Sequence, residues 1–201
     1  MSALWTLLGV SGLTLAVIVA GLVTSKRATL AIIKNIRPIR VVHYQAMALF
    51  GTELYLLGLG SFVLTAEEVS RVALILIAGT FAWIAQVFLN DIADLEGDKL
   101  SNNKRPLVQG DISIKTAWIL TIALAVISLL ISGFLGSKIF LAITGSHVLG
   151  LIYSIGPFRT KKYYLLGTFN LALVATMPLL AGFLYYRPLQ LLPRSPLLCS
   201  G

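Results

Sequence analysis

The side chains able to do chemistry crowd into one short run, Asn90-Asp91-Ile92-Ala93-Asp94-Leu95-Glu96-Gly97-Asp98. Five of the eight acidic residues lie between Asp91 and Asp111. Asp91 and Asp94 are three residues apart, and Asn90–Asp94 and Asp94–Asp98 are four apart, so on a continuous helix all four side chains share one face. Like charges at that spacing repel by about 0.2–0.5 kcal/mol per pair even on a solvated helix, and a cation relieves them. Carboxylate and amide oxygens are hard ligands of the kind Mg²⁺ takes, usually one or two carboxylates combined with substrate phosphate oxygens and water. The plainer reading is a solvated acidic cap on a helix end. The next residues favour a phosphate-bearing ligand held through metal. Ser101-Asn102-Asn103-Lys104-Arg105-Pro106 brings amides and two cations close behind the carboxylates. Arg binds phosphate through two parallel N–H bonds and Lys as a point charge, and Gly110 then permits a turn into the next apolar run.

The elements that must hold this cluster are apolar. The 201 residues are 57% hydrophobic and 12% charged, far from the roughly even split between apolar and polar, with about 25% charged, of soluble domains. Intrinsic disorder is excluded, and one cysteine, Cys199, makes no disulfide scaffold. The composition predicts an all-α, polytopic transmembrane bundle. Runs long enough to span a bilayer are Leu4–Thr24, Val41–Leu64, Val72–Leu89, Ala117–Leu135, Ile139–Ile155 and Leu165–Tyr186, about six spanning helices with Glu53 the one charge inside them. The first run lacks a basic segment ahead of it and reads as a retained helix, not a signal peptide. Of the 16 basic residues, 12 fall in the segments 25–40, 90–116 and 156–164, and four on the opposite side. The positive-inside rule places those three loops in the cytoplasm and both termini outside. The net charge of +8 thus reads as membrane topology and implies no nucleic-acid partner.

With the motif Asn90–Asp98 and the NKRPLxxG-like run Asn103–Gly110 in place, the sequence resembles the UbiA superfamily of intramembrane prenyltransferases. Tyr153-Ser154-Ile155-Gly156-Pro157-Phe158-Arg159-Thr160-Lys161 is similar to that family's Tyr-Ser…Pro…Arg-x-Lys segment, and Arg37-Pro38 resembles the pair that often opens its first core helix. The resemblance implies transfer of a polyprenyl group from its diphosphate to a small aromatic or alcohol acceptor, with Mg²⁺ as cofactor, at the cytoplasmic face of the lipid bilayer. It implies that Asn90, Asp91, Asp94 and Asp98 form the first metal site, that Lys104, Arg105, Arg159 and Lys161 contact diphosphate, and that Tyr153 faces the cavity. Asn90 also counts among the substrate contacts, and Asp91, Asp94, Asp98 and Tyr153 make up the catalytic set.

On this mapping residues 1–25 form an extra N-terminal transmembrane helix, 26–186 a partial prenyltransferase bundle, and 187–201 a non-spanning tail interrupted by Pro188, Pro193 and Pro196. No Asp or Glu follows Asp111, whereas the family carries a second Asp-rich motif several helices later. The expectation is therefore a prenyltransferase truncated at its C-terminal end. The competing reading is a non-catalytic membrane protein, a degenerate or truncated homologue acting in lipid binding or scaffolding. His43 and His147 show no zinc-ligand spacing, and His147 reads as a hydrogen-bonded packing residue. Glu53 reads equally as a cavity residue or as an interfacial carboxylate. Gly58-Leu59-Gly60 and Ser146…Gly150 read as small-residue helix contacts. Trp5, Trp83 and Trp118 fit interfacial or cavity positions.

Overall fold

A computed structural model describes residues 2–59, 64–101 and 104–184. In chain order the helices are α1 (Ala3–Thr24), α2 (Lys26–Asn35), α3 (Pro38–Leu59), α4 (Ala66–Ala93), α5 (Leu95–Ser101), α6 (Ile114–Leu135), α7 (Ser137–Ser154) and α8 (Tyr164–Leu184), with a single 3₁₀ turn at Thr160–Lys162 between the last two. Among the described residues there is no strand. That is the all-α bundle expected of apolar runs whose backbone groups must be satisfied within each segment. Each of the six apolar runs falls on a helix over nearly all of its described residues, but among those residues four helices, α1, α4, α6 and α8, are long and apolar enough to cross a membrane. The count of about six was therefore loose: α3 carries Arg40, His43, Gln45 and Glu53, and the 18 residues of α7 include Lys138, Thr144, Ser146 and His147, which dilute their apolar character. Gly60, Asn102, Asn103, Tyr186 and the tail from 187 to 201 lie outside the described residues.

The bundle is organised around α4, which packs against α1, α3, α6, α7 and α8. Its start is fixed by a capping box, Thr65 accepting from the Glu68 amide while the Glu68 carboxylate accepts from Thr65. At 28 residues and 1.5 Å per residue it is about 42 Å long, more than a hydrocarbon core of about 30 Å, so its far end projects into the polar boundary. The acidic cluster sits at that end. By contrast, none of the spanning window of α1 is buried; its exposed Trp5, Leu8, Leu13, Leu15 and Val17 make a surface suited to lipid as solvent.

Polar side chains join the helices inside the bundle. Gln45 of α3 donates to the Leu76 carbonyl (2.8 Å) and to the Thr80 hydroxyl on α4. Gln86 of α4 donates to the Ser146 carbonyl and hydroxyl on α7 (3.1 and 2.9 Å). Ser128 and His147 share a 2.8 Å hydrogen bond between α6 and α7. Glu53 is exposed.

Small residues set the closest approaches. A Cβ on Gly51 would lie 2.1 Å from the Leu179 carbonyl oxygen, and one on Gly182 would lie 2.0 Å from that of Ala48, so α3 and α8 meet backbone to backbone through reciprocal glycines. The Ser146…Gly150 pair does receive a neighbouring helix, since a Cβ on Gly150 would meet Gln86 at 2.7 Å. Among the described residues Gly58 has nothing within 4 Å and makes no such contact. Gly182→Ala should therefore destabilise the bundle by about 1–3 kcal/mol, while Gly58→Ala should leave it unchanged; thermal unfolding in detergent compares the two, and equal effects would contradict this packing.

Candidate functional site

Three connections converge on the far end of α4: α2–α3, the segment between α5 and α6, and the α7–α8 turn. The helix stops at Ala93 and restarts at Leu95, with Asp94 between them at φ −99°, ψ 0°. The backbone ladder bridges the break, as the Asp94 amide donates to the Asn90 carbonyl (2.9 Å) and the Asp98 amide to that of Asp94 (2.8 Å). The cluster therefore keeps its helical spacing across the break, yet its four side chains divide into two sets that meet different cations.

The first set is centred on Asp91, whose side chain is 3% exposed. Asn35, the last residue of α2, donates to its Oδ2 at 2.8 Å. Arg37 and Arg105 donate Nη2 and Nη1 to its Oδ1 at 3.2 and 2.5 Å. Arg105 also stands 3.6 Å from Asp98. A buried carboxylate without partners would carry a penalty of several kcal/mol; here two guanidiniums and an amide meet it. Nearby, the Trp83 indole donates to the Ile36 carbonyl (3.1 Å) and its ring stacks on Tyr44 at 4.6 Å. This anchors the α2–α3 connection to α4.

The second set is centred on Asp94 and Asn90. Arg159 donates Nη2 to Asp94 Oδ1 at 2.7 Å and to the Ala93 carbonyl at 3.1 Å. Lys161 donates Nζ to the same Asp94 oxygen at 2.6 Å and to Asn90 Oδ1 at 2.9 Å. The Ser154 hydroxyl reaches Asn90 Oδ1 at 3.4 Å. Burial pushes the Asp94 carboxyl up, but the hydrogen bonds from Lys161 and Arg159 more than reverse this and hold it below the usual carboxylate range. Arg159 Nε and the Thr160 hydroxyl are buried with no partner among the described residues. Unspent donors beside Asp94 are what an incoming anion needs.

Arg37 (φ 57°) and Arg159 (φ 26°) are the two non-glycine residues with positive φ among the described residues. Left-handed backbone costs a non-glycine residue of order 1–3 kcal/mol and persists where the surroundings over-determine it. Here the surroundings are Asp91 for one arginine and Asp94 for the other. Burial pulls the Arg37 guanidinium below its usual value against the opposing pull of Asp91.

The residues expected from sequence thus fall into place unequally. Asn90, Asp94, Arg159 and Lys161 meet directly. Asp91, Asp98 and Arg105 form the neighbouring set. Lys104 is exposed and lines an open pocket of ≈ 380 Å³ with Lys34, Asn35, Arg37, Arg40, Arg105 and Pro106. Tyr153 is partly buried in the last turn of α7, next to Ser154. Asn35, Ser154 and the Trp83 anchor were not foreseen; a polar residue ending an amphipathic segment just before Arg37-Pro38 is the one sequence signal for Asn35.

Among the described residues no three Asp, Glu, His or Cys side chains converge as a metal cage. The donor set still fits Mg²⁺ shared with a phosphate, which needs only one or two carboxylates from the protein; Asp94 and Asp98, the Asn90 amide and the unpartnered Arg159 and Thr160 donors meet that requirement. Beneath them, between α3, α4, α7 and α8, Tyr44, Trp83, Gln86, Ser146, Met177 and Pro178 border a narrow, mostly apolar cavity of ≈ 20 Å³.

Comparison with known proteins identifies the family and the fold. The UbiA prenyltransferase family matches residues 46–199. The chain is 43% identical over 75 residues to the chloroplastic 2-acyl-4-prenylphloroglucinol 6-prenyltransferase of Humulus lupulus, covering 36% of this chain and 18% of that one. It is 38% identical over 79 residues to the probable homogentisate phytyltransferase 2 of Oryza sativa subsp. japonica, covering 38% and 21%. In fold it is similar to a UbiA homologue from Archaeoglobus fulgidus solved with GPP and Mg²⁺, at TM-score 0.65 and 22% identity, over 79% of this chain and 56% of that one. A digeranylgeranylglyceryl phosphate synthase structure aligns at TM-score 0.69 and 19% identity, over 80% and 54%. The matches thus take in about a fifth of each curated relative and about half of each solved structure. With a family match over most of its length and apolar spanning helices, the chain is an integral membrane protein and belongs to the UbiA prenyltransferase family.

Proposed function

We propose that the far end of α4 binds an isoprenoid diphosphate together with Mg²⁺, and that the chain serves transfer of the prenyl group to a small aromatic or alcohol acceptor at the cytoplasmic face of the membrane. The observation that carries this reading is the Asp94 centre, where a carboxylate and an amide are held by two cations, one of them Arg159, whose buried Nε has no partner among the described residues. An isoprenoid diphosphate supplies acceptor oxygens for those donors and an apolar chain for the helices below.

In this proposal Asn90, Asp94 and Asp98 hold the metal. Bound there, Mg²⁺ neutralises diphosphate oxygens and so stabilises the charge of the departing pyrophosphate. Arg159 and Lys161 turn from Asp94 toward the diphosphate, and the Thr160 hydroxyl and Arg159 Nε add hydrogen bonds; Lys104 and Arg105 approach it from the other flank. Asp91 acts through its arginines: it keeps Arg37 and Arg105 oriented while its own lone pairs are taken up. The prenyl chain follows the seam between Tyr44, Trp83 and Met177, whose cavity opens by side-chain rotation, and the apolar walls shield a developing allylic cation from water. Tyr153 flanks the same seam from α7. The cytoplasmic placement rests on the unequal sharing of basic residues between the two sides.

Calorimetric titration of geranyl diphosphate into the purified protein in detergent, with and without Mg²⁺, tests the reading. Lys161→Ala should weaken Mg²⁺-dependent binding by about tenfold or more, the worth of one charge-assisted hydrogen bond of roughly 1.5–3 kcal/mol. Unchanged affinity would contradict it. Asp94→Asn should abolish the Mg²⁺ dependence while leaving the fold intact. Asp91→Ala should act chiefly on stability, by about 2–4 kcal/mol in thermal or denaturant unfolding, below the full figure for a buried pair because both arginines keep part of their surface in solvent. An Asp91→Ala protein as stable as the parent would refute its holding role.

A further inference from the structure

The open pocket beside the site has a composition that the diphosphate reading does not use up. Five cations, Lys34, Arg37, Arg40, Lys104 and Arg105, line it, and the carboxylates that reach any of them are Asp91 and Asp98. Both bind from the bundle side, through Arg37 and Arg105. Lys34, Arg40 and Lys104 are exposed and have no carboxylate partner among the described residues. The pocket is therefore a concave surface of uncompensated positive charge, which attracts and focuses anions.

Its place in the chain says where such an anion would come from. Lys34 is in the last turn of α2, a ten-residue helix between the last residue of α1 and the first of α3. Lys104 and Arg105 follow the far end of α4 and precede α6. The ends of α1 and α4 and the starts of α3 and α6 thus meet at one boundary of the bundle. Helix α2 packs Ala31, Ile32 and the adjoining Ile36 against Phe88, Ile84 and Ile112, while Leu30 and Ile33 remain 48% and 39% exposed. On α3, Ile39 is 87% exposed and Val42 67%, one turn apart and flanking Arg40. A basic pocket bordered by outward apolar side chains, on an amphipathic helix at a bilayer boundary, matches a molecule with a phosphate head and acyl chains. A soluble phosphate would have no use for that apolar border.

We propose that Lys34 and Arg40 form a binding site for the headgroup of an anionic phospholipid, with its acyl chains lying over Ile39, Val42 and Ile33. The site is separate from the Asp94 centre and does not depend on catalysis. Its occupancy ties α2 and the α2–α3 connection to the membrane surface, and through Asn35 and Arg37 it steadies the Asp91 set.

Native mass spectrometry of the detergent-solubilised full chain, incubated with equimolar phosphatidylglycerol and phosphatidylcholine, tests this directly. Each basic side chain near an anionic surface is worth about fivefold in affinity. The parent protein should therefore retain phosphatidylglycerol in clear excess, and Lys34→Gln combined with Arg40→Gln should reduce that excess by about 25-fold. Millimolar inorganic phosphate or pyrophosphate should leave the bound lipid in place. Equal retention of the two lipids by the parent protein would overturn the proposal, as would an excess that survives the double substitution. Displacement by phosphate or pyrophosphate would also overturn it, by showing a soluble-anion site. Both substituted side chains are exposed, and Mg²⁺-dependent geranyl diphosphate affinity should be unchanged in the double variant. Retained lipid preference alongside lost diphosphate binding in Lys161→Ala separates this site from the proposed diphosphate centre.

Discussion

A carboxylate placed at 3% exposure on a membrane helix must be met by donors, and around Asp91 that requirement organises one end of the molecule. Asn35 brings the end of α2, Arg37 the connection into α3, and Arg105 the segment leading to α6. None of these segments is held there by apolar burial alone. The left-handed backbone of Arg37 is a cost that the Asp91 contact repays. Three residues along the chain, Asp94 does the same for the α7–α8 turn through Arg159 and Lys161, with Arg159 again at positive φ. Two carboxylates at the end of α4, one in its last turn and one at its C-cap, thus gather three separate connections into a single polar surface.

The apolar bundle makes that surface possible by holding α4 central and letting it overshoot the hydrocarbon. Helix contact is secured by backbone proximity at Gly51 and Gly182 and by amide and hydroxyl bonds from Gln45, Gln86 and Ser128. These are the forces left to helices whose apolar faces gain little from meeting each other in lipid. The end of α4 and the backbone bonds that carry its ladder across the break into α5 set the spacing of Asn90, Asp91, Asp94 and Asp98, which is what lets two neighbouring sets of cations be served by one stretch of sequence.

Much of this was legible in the residues. Helix positions followed from apolar runs, because the bilayer admits few alternatives for uncharged stretches of that length. That Asn90, Asp94, Arg159 and Lys161 belong to one site followed from motif resemblance, with no physical signal linking residues so far apart; that the two cations rest on Asp94 itself was not foreseen. What escaped was the division of the acidic run. Helical spacing places all four side chains on one face, yet which cation each meets depends on where the connections return, and that is a long-range property. Asn35 escaped for the same reason. The reciprocal glycine contact was missed because Gly51 and Gly182 lie far apart in sequence, while the conspicuous Gly58 faces open space.

The central claim is that the cations now resting on Asp94 belong to an incoming diphosphate. The most direct measurement is a structure determined with geranyl diphosphate and Mg²⁺ bound. The account predicts Lys161 Nζ and the Arg159 guanidinium within hydrogen-bond distance of phosphate oxygens, Asp94 turned to the metal, and Asp91 still held by Arg37 and Arg105. A diphosphate bound elsewhere, with the Lys161–Asp94 and Arg159–Asp94 pairs intact, would contradict it.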